Sequence, residues 1–319
     1  MSSQSAQGYV QSVEHFANRH RQAEEALYLL LAPFAGCPPE HPLSLAALTE
    51  TLGSDAVTRV DCSGLVQDPE RWPALVRLAS PGAAPMAVVA LSATCAAREC
   101  TASWHYVCGW LLSEQPADVI ARHLHQQCHV LHQPHPHGIT AWFEPVRLAL
   151  LRVTLKHAGA VLGPVRSWLH PDGHGSCKLF ERQPLAGELF VSEAARATQH
   201  VAPQIVQLLS AWRRLNAAQP AYAPWHHAGS SGLPEDAPSH AMNLMLEAFR
   251  QGLRDRADIH CMCLHMAMIH PLLLQHPGIR DDVQMAAAGE QRLAERFARY
   301  DDRAWSQIVA TLPQARRYS

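Results

Sequence analysis

Cys108-Gly109-Trp110-Leu111-Leu112-Ser113, Arg122-His123-Leu124, Trp142-Phe143-Glu144-Pro145-Val146-Arg147-Leu148 and Gly163-Pro164-Val165 with Trp168 all lie between Trp104 and Trp168, on successive predicted elements. Tyr106 to Leu112 reads as a strand. Pro116 stands where a helix begins and Asp118 in its first turn, where a missing N–H costs nothing and a carboxylate meets the positive end of the helix dipole. Ile120, Leu124, Gln127/Cys128 and Leu131 then recur on one helical face. Gln133-Pro134-His135-Pro136-His137-Gly138 ends that helix. Ile139 to Phe143 reads as a short strand, and Pro145 opens a helix to about Lys156 that is apolar on most sides and so largely buried. Val165 to Leu169 and Lys178 to Phe180 supply further strands. Strands and helices interleave, which predicts an α/β lobe with a mixed sheet.

Working outward, Val10 to Glu25 reads as an opening helix. Ala26-Leu27-Tyr28-Leu29-Leu30-Leu31 is a continuous apolar run that suits a buried strand. Ser44 to Leu52 is helical and stops at Gly53, and Ala56 to Val60 and Trp72 to Leu78 are strands, the latter with its proline near the start. Met86 to Thr94 fits helix or strand. After Arg182 the pattern turns helical: Ile205, Leu208, Leu209, Trp212 and Leu215 form one stripe, Pro220 to Pro238 is a linker, and helices follow over 242–253, 259–274, 283–300 and 305–312. His270-Pro271 should kink or end the second of these. The expected organisation is an α/β domain over 1–182 and an all-helical C-terminal domain over 183–319, with the boundary near residues 183 to 200.

The chain has 319 residues, 48% hydrophobic and 17% charged, with a formal net charge of −2. That is core material for roughly two domains and not the composition of a disordered chain. No basic stripe marks a nucleic-acid partner. The start, Met1 to Gln7, lacks the basic and apolar run of a secretory signal, and Ala26 to Ala32 falls short of the about 20 residues that span a bilayer. Nine scattered cysteines without a CxxC pair read as reduced thiols, so a cytoplasmic protein is expected, with no membrane partner.

Six of the 21 histidines fall between His123 and His137. At about 100° per residue, His125, His129 and His132 share a face opposite the apolar one, a row that can bind a transition metal, with His135 and His137 near enough to add ligands. No HExxH or cysteine pair closes that site. His260-Cys261-Met262-Cys263 with His265 and Met266 has soft copper-ligand chemistry, but Ile259, Met262/Cys263, Met266 and Ile269 already fit a core stripe. Glu144 and Arg147, spaced i, i+3 at a helix start, fit a structural ion pair better than catalysis, since Asp172 in the turn-like Pro171-Asp172-Gly173 is the only second carboxylate close in sequence. No G-x-S-x-G, G-x-G-x-x-G or Walker loop is present, and Gly229-Ser230-Ser231-Gly232 has a linker's composition. Trp104, Trp110, Trp142, Trp168 and Trp225 fit core or partner anchors.

The ordered runs resemble the adaptor or chaperone family of the bacterial type VI secretion system, which ties a toxic effector to the valine-glycine-repeat spike protein. The resemblance spans roughly residues 25 to 182. It rests on the early apolar strand Leu27 to Leu31, Trp110 to Ser113, the helix with Arg122-His123-Leu124-His125, the aromatic run Trp142-Phe143-Glu144-Pro145-Val146-Arg147-Leu148 and its leucine-rich helix, and Gly163 to Trp168. His125 stands where the family has arginine, and Glu144-Pro145-Val146-Arg147 stands for Asp-Pro-Arg with one inserted residue.

The resemblance implies a non-enzymatic carrier without a cofactor, whose partners are a cognate effector toxin and the spike protein. The αβ lobe would be the platform, and the variable helical lobe would recognise effector, spike tip or both. The residues placed as partner-binding are Trp110, Arg122, His125, Glu144, Arg147, Trp212 and Trp225. The alternative is a cytosolic His-rich metal-binding protein or metal-dependent hydrolase using His125, His129 and His132. A third reading is a structural module of another assembly.

Overall fold

A computed structural model describes residues 3–99, 105–132, 139–172, 176–185, 187, 189–218 and 233–313. The chain divides into two compact units, residues 1–202 and 203–319. The first holds the sheet and the second is helical, the architecture expected from the sequence. The division falls inside one long helix, α6 (Glu193–Ala218), at Pro203.

Six strands, β1 (Ala26–Leu31), β2 (Val57–Arg59), β3 (Ala74–Ala79), β4 (Val107–Ser113), β5 (Ser167–Pro171) and β6 (Cys177–Glu181), form one sheet in the order β2-β3-β1-β4-β5-β6. β1 is its central strand. Its six residues are all buried, and alternation divides them between two cores: Tyr28 and Leu30 face one, Leu27, Leu29 and Leu31 the other. A period of two with both faces covered is why the run carries no polar interruption. The sheet is not mixed as expected. All five strand pairings are antiparallel. The connections β1 to β2 and β3 to β4 each cross over one strand position, and the strand that fills the gap runs the opposite way, so no two neighbours are parallel.

One face is covered by α1 (Ser3–His15), α2 (Leu45–Leu52) and α3 (Val88–Glu99), whose Val13, Leu48, Val89 and Ala93 join the Leu27/Leu29/Leu31 core. α2 starts and stops where its sequence says: the Ser44 hydroxyl accepts from the Ala47 N–H, and Gly53 follows its last residue. The ambiguous stretch after Met86 is helix α3, with Ser92, Ala93, Ala96 and Ala97 buried along it. The other face is covered by α4 (Ala117–Val130) and α5 (Pro145–Thr154). Ile120, Leu124 and Cys128 of α4 and the following Leu131 are fully buried, the stripe read from spacing. α5 buries Val146, Leu148, Leu150 and Leu151 but leaves Val153 exposed.

Ile139 to Phe143 is buried throughout yet is not the expected strand. It is an irregular turn, with the Thr140 N–H donating to the Cys128 carbonyl and the Trp142 N–H to the Thr140 carbonyl. Four apolar residues, Ile139, Ala141, Trp142 and Phe143, reach the core here without strand pairing.

In the second unit, Ile205, Leu208, Leu209 and Trp212 of α6 are buried. α7 (Ala237–Arg250), α8 (Arg256–Met268), α9 (Pro277–Ala287), α10 (Leu293–Phe297) and α11 (Asp302–Thr311) follow. α8 ends before His270-Pro271. The single helix expected over 283–300 is instead α9 and α10, parted at Gly289, and Asp258 on α8 accepts from the Leu293 N–H at the start of α10 (2.9 Å). His265, Phe297, Tyr300 and Trp305 pack ring to ring. Among the described residues no helix is long and apolar enough to cross a membrane.

Candidate functional site

The runs that carry the resemblance meet in the first unit. Gly109 in β4 holds φ 138°, and a Cβ there would stand 2.5 Å from the Leu169 carbonyl and 2.9 Å from Trp168 Cδ1, so a side chain would separate β4 from β5. Its neighbours then point to opposite faces. Trp110 enters the α3 side, its Nε1 donating to Ser92 Oγ at 2.9 Å. The Cys108 carbonyl accepts from Trp168 Nε1 at 3.3 Å. Trp168 meets Trp142 edge-on at 5.5 Å, and Trp142 Nε1 donates to the Leu124 carbonyl on α4 at 3.3 Å. Each buried indole N–H has its acceptor, the condition for burying tryptophan without loss.

His123 joins α4 to the Gly163-Pro164-Val165 run. Its Nε2 lies 2.7 Å from the Val161 carbonyl, and the ring fills the space a Cβ on Gly163 would need. Burial pulls the His123 pKa below the ordinary imidazole value, which keeps the ring neutral and donating. One residue beyond, the Pro164 carbonyl accepts from Ser113 Oγ (2.7 Å), and Ser113 Oγ accepts from the Gln115 N–H (3.0 Å).

Glu144 and Arg147 form the expected i, i+3 pair at the start of α5. Arg147 Nε donates to Glu144 Oε2 at 2.8 Å, and both side chains are nearly buried. Arg147 also donates to the Gln199 carbonyl at 2.6 Å, while Gln199 Nε2 returns a 3.0 Å bond to the Arg147 carbonyl. α5 is thus tied to the first part of α6. Burial raises the Glu144 pKa above the carboxylate range, and Arg147 opposes that rise.

Trp110 is fully buried and supports the sheet from within, and Trp212 is buried against His240 (ring centroids 5.6 Å). Arg122 is exposed and pairs with Asp118 one turn back at 2.8 Å, a surface ion pair worth little. Trp225, Trp104, His135, His137 and 229–232 lie outside the described residues.

The histidine row is less exposed than its spacing implies. His125 Nδ1 donates to the Asp61 carbonyl at 2.7 Å, His132 lies 3.2 Å from Thr140 Oγ1, and His129 stands against His125 at 4.8 Å between ring centroids. Among the described residues no three His, Cys, Asp or Glu side chains converge as a metal site. The His260–Met266 segment is core, as its stripe indicates: Met262, Cys263 and Met266 are buried, and burial pushes the Cys261 and Cys263 thiols up to about 12.

No match to the chain is found among family models, curated proteins or solved structures. The site therefore has to be read from its own residues.

Spacing gave no hint of one polar cluster. Glu25, with no exposed surface, takes Arg166 Nε and Nη2 at 2.6 and 2.8 Å, and the His20 carbonyl takes the same Nη2 at 2.8 Å. His20 Nε2 lies 3.2 Å from Ser167 Oγ and 3.5 Å from Glu181 Oε1. Serine, histidine and carboxylate are together, but hydroxyl and carboxylate share one ring nitrogen. A base relay needs one on each nitrogen. The cluster joins the turn after α1 to β5 and β6, with partners some 140 residues apart that no local motif could pair.

Proposed function

We propose that this chain is a non-enzymatic cytoplasmic adaptor that binds a type VI secretion effector toxin and helps load it onto the valine-glycine-repeat spike protein. The observation that supports the reading is the meeting of separate family-like runs in one core: His123 against Gly163, Trp142 against Trp168 and Ser113 against Pro164. Their contacts support reading them as the framework of one domain.

The same contacts say how such a domain would work. The indoles, His123 and the Glu144–Arg147 pair find their hydrogen-bond partners inside the unit, and their task is rigidity. Recognition then falls to surfaces built upon them. A stable partner interface takes about 800 Å² per side, a patch and not a pocket. A rigid platform lowers the ordering cost of forming it.

The test is co-expression with the products of the flanking genes, among which the adaptor reading expects a toxin and a spike protein. The adaptor reading expects toxin solubility to rise and the toxin to co-purify with this chain. An unchanged soluble fraction, with the chain recovered alone, would count against it.

A further inference from the structure

Cys62 is the one buried residue in an otherwise exposed turn, with Asp61, Ser63, Gly64 and Leu65 all at the surface. Its side chain enters the core shared with α4, where Cys128 is fully buried and the two thiols lie close enough to act on each other. The turn is held there by the 2.7 Å bond from His125, one turn before Cys128, to the Asp61 carbonyl, and by Trp72 Nε1 donating to the Val66 carbonyl at 2.8 Å.

The other described thiols are placed differently. Cys95 donates to Glu99 Oε1 and Cys108 to the His105 carbonyl, Cys177 lies near the Tyr9 hydroxyl, and Cys261 lies on His265. Cys37 lies against its own neighbour, the Pro38 carbonyl, and Cys263 is buried on α8 two residues from Cys261, a spacing at which helical side chains do not face each other.

We propose that Cys62 and Cys128 are a disulfide-forming site, oxidised by a low-molecular-weight disulfide to a staple that fixes the 61–66 turn to α4. The order of events follows from burial. Cys128 lies on a helix within the core, where burial and the neighbouring sulfur hold its thiol protonated, and the thiolate is the nucleophile. Cys62 reaches solvent when a short surface turn swings out. Its thiolate attacks the small disulfide, forming a mixed disulfide and releasing one small thiol. When the turn recloses, Cys128 gives up its proton and attacks the Cys62 sulfur, releasing the second small thiol. Two protein thiols and one small disulfide become one protein disulfide and two small thiols. Two electrons and two protons leave with the small thiols. In a reducing compartment the same exchange runs backward.

The test incubates the purified full-length chain with oxidised glutathione, blocks remaining thiols after denaturation and maps tryptic peptides without reduction. A cross-linked species joining 60–71 to 123–147, two hydrogens lighter than the separate peptides, is expected as the main disulfide product. Dithiothreitol should remove it, and the oxidised chain should melt at higher temperature than the reduced one, since the bridge closes a long loop. Cys62→Ser should abolish the cross-link. The wild-type map itself needs no variant to fold. Full alkylation of both cysteines after oxidation, or pairing of either with another cysteine, would overturn the proposal.

Discussion

Replacing Gly163 by alanine tests whether the framework is as tightly fitted as described. Gly163 sits at φ 52°, ψ −108°, a region that side-chain-bearing residues occupy at a cost of about 1–3 kcal/mol. The added Cβ would stand 2.5 Å from His123 Nε2 and 2.6 Å from Nδ1. The ring cannot retreat without lengthening its 2.7 Å bond to the Val161 carbonyl. Strain, crowding and a weakened buried hydrogen bond together give a loss of about 3–5 kcal/mol. That is a large share of the about 5–15 kcal/mol holding a typical domain together. Urea unfolding, with limited proteolysis assigning the transition to the first unit, measures the loss. Gly8→Ala in α1, where nothing lies within 4 Å, is the control and should gain up to about 1 kcal/mol from helix propensity. His123→Ala removes the obstructing ring, so the double variant should lose about 1–3 kcal/mol less than the sum of the singles. A Gly163→Ala protein within about 0.5 kcal/mol of the parent, or strict additivity with His123→Ala, would refute the packing argument.

Glu144→Ala strands a nearly buried Arg147 and should cost about 3–5 kcal/mol, whereas Glu144→Leu with Arg147→Met should recover most of it in the same unfolding assay. His170 is fully buried, and burial lowers its pKa to about 4 against an ordinary value of 6.5. The unfolded chain therefore takes up the proton first. Its contribution is complete above that ordinary value and declines by about 3 kcal/mol as pH falls toward 4, a slope that His170→Leu should flatten. Calorimetric titration of the untagged chain with zinc should find no tight one-to-one site that depends on His125, since the histidine row does not converge with other ligands among the described residues. A tight site lost on His125→Ala would contradict that geometry.

Much of this fold is legible in the sequence where one residue's neighbours fix its environment. The unbroken run of β1 is short enough to suit a strand covered on both faces, and Ser44, Gly53 and Pro116 mark helix ends because helix termini have specific hydrogen-bonding needs. Ile139–Phe143 is misread because burial and strand pairing are different things, and an apolar run reports only the first. Strand direction is equally hidden: whether a crossover returns parallel or antiparallel depends on which strands flank β1, a long-range property. Among the side chains singled out, the Glu144–Arg147 pair is readable from spacing. Trp110, Trp212 and the Glu25–Arg166 pair are not, because composition does not tell a core indole from an anchoring one, and a pair spanning the sheet leaves no local mark.

We propose that this chain carries a toxin to a spike. It is tested most directly by mixing the three purified full-length proteins and passing them over a size-exclusion column. The account expects one peak containing chain, toxin and spike protein, and less toxin attached to the spike when the chain is left out. Separate elution of the three, with the toxin binding the spike equally well in its absence, would contradict it.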